Sequence, residues 1–143
     1  MIIAKIFTGL ALIAVASIIL LLWAMFADQS TFSSGLSTYG DLPPTATDIA
    51  VYENRDIGGL RLIELKISEE QLRSYAESQD WSLREIAGLE HIMSANAFHH
   101  DKANSLKTIS DGLFFQDRRP NGGGVTIAFN RLNQVAYINS SSK

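Results

Sequence analysis

DRRPNGGGVTIAF, residues 117–129, sets two arginines against three consecutive glycines and ends in an alternating apolar run. Glycine serves both a phosphate-cradling loop and a tight turn between strands, so the residues after the glycines decide the reading. A phosphate loop needs glycine amides leading into a helix N-terminus, where the helix dipole favours an anion. Here Gly124 leads instead into Val125, Ile127 and Phe129 alternating with Thr126, Ala128 and Asn130, the period of a strand. No Gly-Lys-Ser or Gly-Lys-Thr comes after them. Pro120-Asn121-Gly122 between two strand patterns is ordinary turn chemistry. The stretch reads as a β-hairpin, and the fold is built around an antiparallel sheet.

On either side of it, DGLFFQDRR (111–119) and QVAYINS (134–140) are apolar runs bounded by turn residues, and Leu132-Asn133 suits a tight hairpin between the last two. Further upstream, DIAVYEN (48–54) and LRLIELKIS (60–68) form a second strand pair around a glycine turn. Ile63, Leu65 and Ile67 should share one core face with Val125, Ile127 and Phe129. Ser68-Glu69-Glu70-Gln71 fits a capping box and opens a helix to about Gln79, with Leu72, Tyr75 and Ala76 as its apolar stripe. Ser82 to Glu85 repeats the pattern and predicts a second, weaker helix over LREIAGLEHIMS (83–94), despite Gly88. The expected fold is a two-layer α+β domain over residues 48–143. Its order is strand-strand-helix-helix-strand-strand-strand, with a mostly antiparallel sheet and both helices on one face.

The N-terminus has a different character. Between Lys5 and Asp28 lies an uncharged run, Ile6 to Ala27, of 22 residues, about 33 Å if helical and so long enough for a bilayer core. Met25 is bulky for the −3 position of a cleavage site, and Trp23 suits an interfacial anchor. Residues 1–27 are therefore expected to be an uncleaved signal anchor, inserted in the lipid bilayer through residues 6–27. Lys5 would hold the N-terminus in the cytoplasm and place the domain outside, in the periplasm if the cell is Gram-negative. Residues 28–47, rich in Ser, Thr, Gly and Pro, read as a flexible linker.

Composition narrows the chemistry. The chain has no cysteine and a net charge of −3, which removes thiolate sites and leaves no basic footprint for nucleic acid. His99, His100 and Asp101 are metal-ligand types, but adjacent histidines point different ways. His91 has no ligand partner at i+4, and no HExxH spacing occurs, so no metal or cofactor site is assigned. No Gly-x-Ser-x-Gly elbow is present. Glu69 and Glu70 suit the first turn of a helix, where the macrodipole favours carboxylates. No catalytic residue is assigned.

The candidate partner-binding residues are Arg118 and Arg119, beside the glycine loop, and Phe114 and Phe115. As strand neighbours the two phenylalanines face opposite sides. One should enter the core while the other joins an outer patch with Tyr52 and Ile138. An N-terminal anchor followed by a small α+β domain ending in a strand meander is similar in layout to many small bacterial envelope proteins. Some of these are immunity or inhibitor proteins that bind one partner. The resulting expectation is a membrane-anchored, extracytoplasmic protein-binding module without catalytic activity, of the inhibitor or immunity type. A membrane-tethered hydrolase is one alternative. Another is an accessory subunit whose span packs through Ala11, Ala14 and Ser17 against a larger membrane complex.

Overall fold

The computed structural model describes residues 13–24, 29–55 and 58–142. In chain order the elements of the domain are β1 (Ser30–Leu36), β2 (Thr47–Asn54), β3 (Leu60–Lys66), α1 (Glu69–Ser78), β4 (Arg84–Glu85), β5 (Glu90–Met93), α2 (Ala95–His100), a 3-10 turn (Lys102–Asn104), β6 (Leu106–Ile109), β7 (Gly112–Arg118), β8 (Gly124–Asn130) and β9 (Val135–Ser141). Seven strands make one antiparallel sheet in the order β1-β2-β3-β9-β8-β7-β4, and β5 pairs with β6 in a separate hairpin. With residues 13–24, which are helical, the described residues hold three α-helices besides the sheet. The domain is α+β.

Alternation along the strands sorts side chains onto two buried faces. Ile49, Val51, Ile63, Leu65, Ile127, Phe129, Ala136 and Ile138 point to one face, where Leu72 of α1 closes the core and Val125 packs at its margin. Ser68 accepts from the Gln71 N–H at 3.3 Å, and Gln71 Oε1 accepts from the Ser68 N–H at 3.4 Å. The helix therefore begins at the capping box its sequence spells out. The other face carries Tyr52, Leu62, Phe114, Ala128 and Tyr137, and it too is covered, by Ile92 and Ile109 of the β5–β6 hairpin and Ala95 of α2. Ser94 caps α2 by accepting from the Ala97 N–H at 3.1 Å, while Glu64 of β3 accepts from the Ser94 hydroxyl and the Asn96 N–H.

Several expectations are corrected. The membrane span over residues 6–27 is not supported: among the described residues no helix is long and apolar enough to cross a membrane. The described residues 13–24 of the expected span are helical. Residues 6–12 and 25–27 of the expected span lie outside the described residues. The single-pass membrane localisation, and the extracytoplasmic placement derived from it, lose their basis.

The expected helix over residues 83–94 is instead β4 and β5. Leu83 packs toward the α1 face and Ile86 toward the opposite one. Gly88 adopts φ +140° between the two strands, outside helical geometry. The two helices of the domain do not share a face, because α1 and α2 pack on opposite sides of the sheet. Within the expected linker, Ser30–Leu36 is an edge strand paired with β2 from Ser30↔Asn54 to Leu36↔Ile49.

Candidate functional site

The glycines of the β7–β8 connection use their amides inside the turn. Arg119 N–H donates to Gly123 O at 2.8 Å, Gly122 N–H to Arg119 O at 3.0 Å, and Gly123 N–H to the Asn121 side chain at 3.1 Å. An anion would find those two glycine donors already occupied. Gly124 has φ +148°, and a Cβ there would stand 2.1 Å from Asp117 O, so its glycine serves the close approach of β7 and β8.

The hairpin does offer a cleft. It has a volume of about 460 Å³ and lies between the hairpin tip, the β5–β6 hairpin and the end of β9. One row of cross-strand neighbours builds its wall: Gln116 opposite Thr126, and Thr126 opposite Asn139. With its amide oriented to suit its neighbours, Gln116 Oε1 accepts from Arg118 Nε and Nη2 at 3.2 and 3.3 Å and from the Thr126 hydroxyl at 3.2 Å. A neutral amide thus holds the Arg118 guanidinium in place without cancelling its charge. Asn139, 9 % exposed, donates to Met93 O and accepts from Met93 N, both at 3.1 Å, and so fastens β5 to the sheet. His91 stands in the same cleft, with Nδ1 3.1 Å from the Thr108 hydroxyl.

The arginines divide sharply. Arg55 and Arg61 reach Glu53, Arg73 reaches Glu69 and Glu85, Arg84 reaches Glu90, and Arg131 reaches Glu69, Glu85 and Asp111. Arg118 and Arg119 have no carboxylate within 4.0 Å among the described residues, and both are exposed in the cleft. Comparison of the chain with family models, curated proteins and solved structures finds no match. The site therefore has to be read from its own chemistry.

The remaining candidates lie elsewhere. Phe114 is 6 % exposed, beneath an Arg84 guanidinium 4.7 Å from its ring centroid. Phe115 is half-buried on the α1 face, stacked on Trp81 at 6.2 Å. Tyr52 and Ile138 are buried on opposite faces. The outer aromatic patch does not form, because the β5–β6 hairpin and α2 occupy the face expected to be open.

His99 stacks on Phe32 of β1 at 4.0 Å, and Asp101 accepts from the Ala103 N–H and the Asn104 amide. These two bonds hold the Asp101 carboxyl below its ordinary range. Among the described residues no three His, Asp or Glu side chains gather as a metal cluster. Glu69 and Glu85 belong to the ion-pair network around Arg131 and Arg73.

Gln116, Thr126 and Asn139 carry no signal in the sequence. Their spacing matches no motif, and only the strand register aligns them.

Proposed function

We propose that this protein is a binding module that captures an acidic protein partner through the cleft at the β7–β8 hairpin, with Arg118 and Arg119 as the recognising cations. One observation carries the reading. Five arginines are matched to carboxylates within the domain, while the two adjacent ones in the cleft are not. Two unneutralised guanidiniums, one held by Gln116, present forked donors suited to carboxylates. The reading calls on recognition alone, with no group transferred.

The test uses the full chain and a fluorescein-labelled peptide of alternating glutamate and valine, followed by anisotropy. Replacing both Arg118 and Arg119 with Ser should weaken binding about fivefold at low salt, the scale of two exposed ion pairs. The gap should narrow between about 0.01 M and about 0.15 M salt, as the Debye length falls from about 30 Å to about 8 Å. Binding that ignores both the arginines and the salt would overturn the proposal.

A further inference from the structure

The arginine cleft lies beside a length of strand edge that the domain leaves unpaired. β4 covers only the start of β7, through Arg84↔Phe114 and Glu85↔Leu113, with the Ile86 N–H donating to Gly112 O at 3.0 Å. In an antiparallel ladder, alternate residues turn their N–H and C=O to the same side. Gly112 faces β4, so Phe114, Gln116 and Arg118 turn their backbone groups to that edge. The Arg119 N–H to Gly123 O bond fits the same alternation on the β8 side. Beyond Phe114, no strand among the described residues pairs with this edge. The chain ahead of β4 is drawn away: Trp81 N–H donates to Ala76 O of α1 at 2.9 Å, and Leu83 N–H to Trp81 O at 3.1 Å.

We infer that the acidic partner adds to this edge as a short antiparallel strand, pairing with the backbone of Gln116 and Arg118. This rests on the proposed function and specifies how the partner is held. Strand addition supplies main-chain hydrogen bonds, and the alternating side chains of the added strand supply specificity. Side chains directly opposite Gln116 and Arg118 fall on the cleft side, within reach of Arg118 and Arg119, and carboxylates there complete the unpaired cations. The intervening side chains fall on the α1 side, one opposite exposed Asp117 and the next opposite Phe115, which stacks on half-buried Trp81, so uncharged, apolar groups suit them. The recognised pattern is acidic-apolar-acidic in extended form. A second copy of this chain suits the edge poorly, because its own β7 offers Phe114, Gln116 and Arg118 on the cleft side and no carboxylate there.

The experiment compares the glutamate–valine peptide with two backbone-methylated versions, one methylated on the glutamate nitrogens and one on the valine nitrogens. In antiparallel addition the residues opposite Gln116 and Arg118 are the glutamates, and their N–H groups point at β7. Methylating the glutamates should therefore weaken binding about tenfold or more, the scale of two lost hydrogen bonds, and methylating the valines less than about twofold. Amide exchange at Gln116 and Arg118 should slow when the unmodified peptide is saturating.

If the unmodified peptide binds through Arg118 and Arg119 but is indifferent to methylation, strand addition is overturned while acidic capture stands. If the unmodified peptide does not bind, the functional reading itself fails. A chain that sediments as a dimer, with the Gln116 and Arg118 amides protected in the absence of peptide, assigns the edge to a second copy and overturns the inference.

Discussion

Gly112 and Gly88 have nearly the same backbone, φ +145° and φ +140°, but different surroundings. A Cβ on Gly112 would stand 1.8 Å from the Phe129 carbonyl oxygen, whereas one on Gly88 meets nothing within 4 Å. Gly88→Ala should therefore lose only backbone strain, about 1 kcal/mol. Gly112→Ala should lose that and also push β7 from β8, about 3 kcal/mol in total. Urea denaturation of both variants measures the difference, and equal losses would mean that the two strands are not so closely apposed. Neither role is legible in the sequence, because a glycine shows its purpose only through the atoms that lie across from it. Arg118 and Arg119 are legible as candidates, since paired cations beside a glycine turn stand out in any sequence. Gln116 and Asn139 are not, because each works through a partner on another strand or hairpin.

At the level of elements, α1 is tied to the sheet by charge as well as by Leu72. Arg131 Nε donates to Glu69 Oε2 at 2.7 Å and Arg73 Nη2 to Glu69 Oε1 at 2.7 Å. These arginines, Arg131 foremost, hold the Glu69 carboxyl at about 2, below its ordinary value of 4.5. A carboxyl lowered on folding stabilises the native state fully above its unfolded value. That contribution disappears as pH falls from about 4.5 toward about 2. Melting temperature should fall across this window, and Arg131→Met should flatten the fall by releasing Glu69. An unchanged slope in the variant would remove the network from the account.

Elements with a strong local signal, namely α1, β2, β3, β7, β8 and β9, are legible in the sequence. β1 is not, because Ser-Thr-Phe-Ser-Ser-Gly-Leu has weak strand character and is held as a strand by pairing with β2. α2 escapes notice because it is one short turn-and-a-half whose start is secured by Glu64, which is remote in sequence.

For the domain taken entire, the β5–β6 hairpin determines whether the second face of the sheet is closed. Asn139 holds it by matching both backbone groups of Met93. Asn139→Asp keeps the shape but replaces the donor with an acceptor facing Met93 O. The variant should lose about 1–3 kcal/mol and expose the Phe114 and Tyr137 face, seen as new binding of a hydrophobic dye. A variant with full stability and no dye binding would show that the hairpin is held by its apolar contacts alone. This third layer leaves no local trace in the chain, since β5 and β6 are only four residues each and the burial of Ile92 and Ile109 depends on the surface they cover.

The position of β9 has a kinetic consequence. It is the last strand in chain order, yet it lies between β3 and β8, with Leu60 opposite Ser141 and Asn130 opposite Val135. The β1–β3 and β7–β9 meanders form from neighbouring segments, but each remains a half-sheet with one unsatisfied edge until β3 pairs with β9. Joining them requires closing a loop that spans most of the domain before its contacts are gained. High contact order of this kind slows folding, so the β3–β9 pairing should limit the folding rate rather than the formation of either meander.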